Sequence, residues 1–480
     1  MTSTFAQSKH DYNWVFGYDN GPNGTYKKSI VDFDNNRSIK HFDSDLIRMS
    51  FNNASISDTE GNLLFYTNGC QVYDSTHHLM MNGDSINFNE YYEEFCDGYA
   101  DGKQNTIILP DPAYDDGYYI FHSPAERFVP FTDAQVINSM YSYVDMQLNG
   151  DNGAIADKNV IYLPNDTVAT SYLTAVYKDN GLDWWLIKSD WNSNIKFIFS
   201  IDHSGVSLEH MIPIGDTITS RESGGGQGRF SPDGSLYISY NTSTHMSIYD
   251  FDRQTGLLSN FRQVVFDEPK TFGGGMEISP NSRFAYAFYP SKLFQVDLWE
   301  DNPQDGVMLI DSFDGFDDPF PIAATFHLAQ LGPDCKIYCS GGSGVPYLHV
   351  INKPDLKGTD CDFVQRGIVL PSPNDRFCMP NNPHFRIDED DICDPNITSV
   401  FGLPVVVDDD VFLHPNPASD LIYLPEHTHN CKVYDINGRL ISDAKAANQK
   451  LDIANLQNGM YILHAYSSDL DVKTYKFVKQ

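Results

Sequence analysis

Residues 228–240 read GRFSPDGSLYISY: a short strand, a Pro-Asp-Gly turn, then a strand alternating aromatic and small residues. Proline presets φ at the first corner and glycine accepts a left-handed backbone, so the phrase is an antiparallel pair joined by a tight turn. It returns as MEISPNSRFAYAF at 276–288 and AQLGPDCKIYCSG at 329–341, with Pro232, Pro280 and Pro333 spaced by 48 and 53 residues. Looser copies precede these: ASISDTEGNLLFYT at 54–67, TIILPDPAYDDGYYIF at 106–121 and LTAVYKDNGLDWWLI at 173–187. Further strand candidates follow the copies, such as MSIYDFD at 246–252, LFQVDLW at 293–299 and YLHVINK at 347–353. A period of about 50 residues with several strands per unit predicts an all-β chain folded as a β-propeller.

Six units are visible. A seventh is expected to be split, with PHFR at 383–386 as its inner strand and YNWVFG at 12–17 and KKSIVDFD at 27–34 as strands lacking one. Joining the chain ends in one blade leaves no open edge. Seven blades are therefore expected, with six or eight as alternatives. The expected organisation is a leader remnant or unstructured start at 1–9, the propeller at 10–388, an acidic linker at 389–408 and a small domain at 409–480.

The chain has 480 residues and a net charge of −33. Nucleic acid and anionic membranes are poor partners for such a surface, because both are held by clustered Lys and Arg. No run reaches the roughly 18 apolar residues of a membrane-spanning helix, so no membrane insertion is expected. The start, MTSTFAQSKHDYNW, lacks the basic and apolar regions of an intact export signal, yet Thr4-Phe5-Ala6-Gln7 resembles the end of one. The eight cysteines show no paired C-x-x-C spacing and suit an oxidising compartment, with Cys70 and Cys96 the favoured disulfide.

The last 70 or so residues have their own pattern. Asn437-Gly438 separates the runs CKVYDI and RLI, and Asn458-Gly459 precedes MYILHAY. Both dipeptides suit two-residue hairpin turns, and no helical period intervenes, so a small antiparallel sandwich of immunoglobulin-like type is expected. Pro415, Asn416 and Pro417 form an opening turn; Asp435, Gly438 and Arg439 frame one hairpin; Leu456, Gly459 and Tyr461 frame another; Lys476 and Lys479 sit in the final strand. In this order the motifs resemble the type A C-terminal sorting domain of type IX secretion cargo. The resemblance implies the type IX machinery as a partner, and passage through the periplasm of a Gram-negative cell to the cell surface or beyond. Residues 55–69, SISDTEGNLLFYTNG, with GPDCKIY and YLHVINKPDLKGTDCDF at 347–363, resemble a group of secreted propellers that often carry such domains. That second resemblance implies architecture and address, not chemistry.

Signatures of chemistry are sparse. SGGGQGRF at 223–230, TFGGGMEIS at 271–279 and SGGSG at 340–344 lack the GK[ST] of a phosphate loop. Glycine there suits inner strands whose backbones converge on a channel. Arg229, Glu277, His327, Gln330 and His384 fall on or beside expected inner strands. Around one channel they would form a hydrogen-bonded lining, or bind an anion or metal and exchange protons. No G-x-S-x-G, H-E-x-x-H or sialidase-type box is present. Trp184 and Trp185 are expected to pack between blades rather than stack on sugar, and His77-His78 to sit in a solvated loop. No catalytic residue, metal ligand or cofactor is assigned; the acidic composition leaves a structural calcium ion open. The expected role is binding or scaffolding, toward a protein or glycan ligand that the sequence does not identify. A channel-based lactonase or glycan-active hydrolase is the alternative.

Overall fold

The computed structural model describes residues 8–17, 28–34, 38–42, 49, 52–89, 103–124, 126–128, 133–164, 167–219, 225–271, 273–316, 323–370, 375–376, 379–387, 393, 417–424, 428–435, 439–445, 450–467 and 472–480. The chain divides into two compact units, Met1–Ser399 and Val400–Gln480.

In the first unit, successive antiparallel sheets follow the repeat. The first joins Asn13–Phe16, Lys28–Asp32 and Ser38–Phe42, and the second Ala54–Ser57, Leu63–Thr67 and Val72–Asp74. Five four-stranded sheets follow. Their opening pairs are Ile107–Pro110 with Gly117–His122, Thr174–Tyr177 with Trp184–Ser189, Gln227–Phe230 with Leu236–Tyr240, Gly275–Ile278 with Phe284–Tyr289, and Ala329–Leu331 with Ile337–Ser340. Every strand of these five sheets pairs with its chain neighbours within the sheet. The first strands of neighbouring sheets touch, while side chains from facing sheets interlock. Phe65 meets Tyr118 at 5.5 Å and Tyr162 meets Phe199 at 4.9 Å, between ring centroids. Trp14 and Phe33 of the first sheet pack on Tyr338 of the last, at 5.3 and 5.9 Å, which closes the circuit. This is a β-propeller.

The repeated turns share one construction. Ser231 and Ser279 each accept a hydrogen bond from the backbone N–H five residues on, at 2.9 and 2.8 Å. The fourth residue of each P-turn phrase takes a left-handed φ: Gly234 at 70°, Ser282 at 58° and Cys335 at 57°. Trp184 and Trp185 point to opposite faces of their strand and are both buried, in different inter-sheet clusters.

Three expectations need correction. Residues 383–386 form no strand; Pro383 lacks an N–H for a ladder, and the segment runs through the centre of the ring, as described below. Asn13–Phe16 does not lack an inner partner, because it contacts Ala54–Ser57 and is itself the first strand of its sheet. His77 is half-buried and stacks on Phe42 at 3.8 Å, so only His78 is exposed.

Cys335 is bonded to Cys393. Cys70 is also disulfide-bonded, and its partner lies outside the described residues, as does Cys96. The start through Gln7 lies outside them too.

The second unit has a four-stranded antiparallel sheet, in the order Leu440–Lys445, Thr428–Asp435, Gly459–Ser467 and Val472–Lys479, and a pair formed by Leu421–Tyr423 and Lys450–Asp452. Ile422 and Leu451 from the pair share a core with Val433, Leu463 and Phe477 from the larger sheet.

Candidate functional site

The inner strands bring Arg229, Glu277 and Gln330 together on the axis. Alternation along Gln227–Phe230 and Gly275–Ile278 turns Arg229 and Glu277 toward the centre, where both are at most 2% exposed. Gly275 permits the crowding: a Cβ there would come within 2.5 Å of Gln227 Oε1 and 2.7 Å of the His327 carbonyl.

Into this space comes the segment 379–387. Asn381 donates from Nδ2 to the carbonyls of Thr106 and Leu173, both at 2.9 Å, and accepts at Oδ1 from Gln104 at 3.0 Å. Arg229 is held by the same surroundings. Its Nη1 donates to Asn381 Oδ1 and the Asn382 carbonyl at 3.1 and 3.3 Å. Its Nη2 donates to the Ala329 carbonyl and Gln330 Oε1 at 2.9 and 2.6 Å. Its Nε lies 3.1 Å from Glu277 Oε2. The four Nη N–H groups thus have hydrogen-bond acceptors, while Nε meets Glu277 as an ion pair without making a hydrogen bond among the described residues. Glu277 accepts the N–H of Ile278 and of Leu331 at 2.9 and 3.0 Å. Burial raises the Glu277 pKa, opposed by Arg229, and burial lowers that of Arg229.

Further along the segment, His384 Nε2 lies 3.1 Å from the Phe230 carbonyl, which makes it the donor there. Burial pushes its pKa down to about 3, helped by Arg229 and Arg386, so the ring is neutral at pH 7. Phe385 packs edge-on against Trp184 at 5.9 Å. Arg386 grips Asp11 bidentately at 2.6 and 2.7 Å, with both side chains buried. His327 has different surroundings. Its Nε2 lies 2.9 Å from Thr325 Oγ1, and burial, then Lys103, holds it well below the ordinary histidine range.

Four of the five expected channel residues therefore meet around one segment, while His327 bonds Thr325. Sequence reasoning missed Asp11, Gln104, Asn381, Asn382 and Arg386. The polar run MPNNPHFR at 379–386 was the available signal. The network engages most of its donors and acceptors internally, which suits it to fixing the ring, although Arg229 Nε and Asn382 Nδ2 make no hydrogen bond among the described residues. Among the described residues, no three His, Cys, Asp or Glu side chains gather as for a metal ion.

In the second unit, Asp435 and Arg439 bracket a hairpin: Asp435 Oδ1 accepts the Arg439 N–H, and the Asp435 N–H donates to the Arg439 carbonyl, both at 3.0 Å. Tyr461 stacks on Phe477 at 5.5 Å and donates to the Gln457 carbonyl at 2.8 Å. Pro417, Gly459 and Lys476 are exposed, while Pro415, Asn416 and Gly438 lie outside the described residues. Residues 412–480 match the secretion system C-terminal sorting domain. The chain carries a type IX sorting domain. That domain addresses the propeller to the cell surface or the extracellular space and implicates the type IX machinery. No helix of the described residues is long and apolar enough to cross a membrane.

No curated protein matches the chain. Among solved structures, the Pseudomonas aeruginosa periplasmic gluconolactonase PpgL is 12% identical over 76% of this chain and 98% of its own, with a TM-score of 0.44. A Lactobacillus plantarum protein is 12% identical over 77% and 97%, at 0.43. PorZ, a surface component of the type IX system of Porphyromonas gingivalis, is 11% identical over 95% and 68%, at 0.35. The fold rests on the sheet topology, not on these scores.

Proposed function

We propose that the chain is an exported β-propeller of seven blades that binds or scaffolds a protein or glycan outside the cell, delivered by an immunoglobulin-like sorting domain. The observation carrying this reading is that the Arg229 Nη atoms and the Glu277 carboxylate are held by residues 381–382 and neighbouring inner strands. A channel-based lactonase or glycan hydrolase needs an acid, a base or an oxyanion donor free to meet substrate. These groups are engaged, so recognition falls to the outer surfaces of the blades. The test is to screen the purified full-length protein against glycans and matrix proteins, in parallel with lactones and chromogenic glycosides. Saturable binding without turnover is the expected outcome. Turnover that disappears in Glu277→Gln would overturn the reading and restore the channel enzyme.

A further inference from the structure

The connection between the third and fourth strands of the sheet that opens at Gly275 reads LWEDNPQDG, residues 298–306. Trp299 in this turn is 67% exposed, the most exposed of the large apolar side chains among the described residues. The ring nevertheless has a fixed seat. The Arg283 guanidinium lies over it, 4.9 Å from the centroid, and over Phe284 at 4.8 Å. Arg283 is itself pinned, donating from Nε and Nη2 to the two carboxylate oxygens of Asp297 at 3.0 and 2.7 Å. Asp297 is buried and also accepts from Lys357 Nζ at 3.0 Å. The Arg283 bonds chiefly hold its pKa down to about 2. The backbone N–H of Trp299 donates to Asp297 Oδ1 at 3.3 Å.

The turn is anchored at both ends. The Leu298 N–H donates to the Arg283 carbonyl at 2.8 Å, and the Asp305 N–H to the Asn302 carbonyl at 2.9 Å. Gln304 ties it to the neighbouring sheet, accepting the Val265 N–H at 2.8 Å and donating to the Val265 carbonyl at 3.1 Å. At Gly306 a Cβ would come within 2.7 Å of the Asp297 carbonyl, so the chain returns tightly onto Asp297. Trp299 is thus presented on a preordered loop, which lowers the entropic cost of engaging a partner. Tryptophan is also enriched among the residues that dominate binding energies.

The charge around the ring selects the kind of partner. Glu300, Asp301 and Asp305 are exposed in the same turn. With Asp297 they make four carboxylates against two cations, Arg283 and Lys357. Arg283 is engaged by Asp297, and Lys357 Nζ also lies 3.5 Å from Glu300 Oε1. The local surplus is negative, on a chain of net charge −33. A tryptophan face attracts cations, and flanking carboxylates strengthen that attraction.

We propose that Trp299 and its acidic turn form a docking surface for a basic segment of an extracellular protein. A lysine or arginine of that segment stacks on the ring, while Glu300, Asp301 and Asp305 meet neighbouring cations. The proposal rests on the binding-module reading above and gives that module a partner of opposite charge. A neutral glycan would use the ring alone and leave the three exposed carboxylates without counterparts.

The test is titration calorimetry of the full-length protein, at about 0.15 M salt, with hexa-L-lysine, fully acetylated hexa-L-lysine and maltohexaose. Hexalysine is expected to bind at least about tenfold more tightly than either other probe. Trp299→Ala is expected to weaken it about tenfold, and Trp299→Phe less, because a ring remains. Glu300→Gln combined with Asp301→Asn is expected to weaken it about fivefold and to flatten its salt dependence. All these positions are exposed, and each variant is checked for a cooperative melt. Equal binding of hexalysine by Trp299→Ala would mark adventitious attraction to an acidic surface and overturns the proposal, as does no binding of hexalysine. Maltohexaose or acetylated hexalysine binding as tightly as hexalysine also overturns it, and loss of that binding in Trp299→Ala would reassign the ring to a neutral ligand. If the ligand screen finds another partner while hexalysine fails, only this surface falls; if no partner binds, the binding-module reading falls with it.

Discussion

The fourth residue of the turn phrase shows how much one position can carry. Gly234, Ser282 and Cys335 all hold left-handed φ values, 70°, 58° and 57°. For serine this conformation is strained, and glycine relieves it at some entropic cost. Gly234 has a second constraint, because a Cβ would meet Arg253 Cδ at 2.4 Å and Ile387 Cδ1 at 2.7 Å. Gly234→Ser is therefore expected to destabilise the protein by about 2 kcal/mol, and Ser282→Gly to leave it within about 0.5 kcal/mol or slightly more stable. Urea denaturation of both variants checks this, and equal losses would contradict it. His384 supplies a pH dependence. Its folded pKa is depressed from 6.5 to about 3, chiefly by burial. The unfolded chain thus takes up the proton first, so the contribution is complete above about pH 6.5 and is lost as pH falls toward 3. The shift corresponds to at most about 5 kcal/mol. His384→Gln keeps an N–H for the Phe230 carbonyl, and its stability is expected to fall less steeply between pH 6.5 and 4 in denaturation measured at several pH values.

At the scale of elements, the repeat was legible because its signals are local. Each of the six quoted phrases contains two paired strands in the structure, since Pro, Asp and Gly act within four residues and alternation within six. The segment 379–387 was not legible for the opposite reason. Its partners lie far away in sequence: Thr106 and Leu173 for Asn381, Phe230 for His384, and Asp11 for Arg386. Periodic spacing assigned it to a strand, and the polar run MPNNPHFR does not by itself say which distant groups it meets. Of the channel residues, Arg229, Glu277 and Gln330 were recoverable from strand register, whereas the bonds of Arg229 and Gln330 to Asn381 and Asn382 were not. The Asp11–Arg386 pair joins the strut to the start of the first sheet. Breaking a buried bidentate pair leaves one charge uncompensated, so Arg386→Met is expected to cost about 3–5 kcal/mol. Asp11→Leu combined with Arg386→Met is expected to recover part of that loss, because the remaining charge is removed as well. Equilibrium denaturation of the single and double variants measures the coupling, and strictly additive losses would refute this account of the strut.

For the whole molecule, the two compact units assign distinct work to distinct stretches of chain. The propeller closes on itself through Trp14 and Tyr338 and is braced by the Cys335–Cys393 disulfide. The sorting domain has its own core around Ile422, Val433, Leu463 and Phe477. Truncation to residues 1–405 should therefore leave the propeller folded while removing its address. The expected result is a protease-resistant, cooperatively melting propeller retained inside the producing cell, in contrast to surface or medium localisation of the full chain. Fractionation of cells expressing each form makes the comparison, with a circular dichroism melt of purified 1–405 establishing that retention is not misfolding. In the full-length protein, Tyr461→Ala should weaken export without removing any motif glycine, since it strips the Phe477 stack and the bond to Gln457. Undiminished secretion of 1–405 would refute the assignment of the address to this domain. Loss of export in Tyr461→Ala with an unchanged sorting-domain melt would shift the tyrosine from a packing role to direct reading by the machinery.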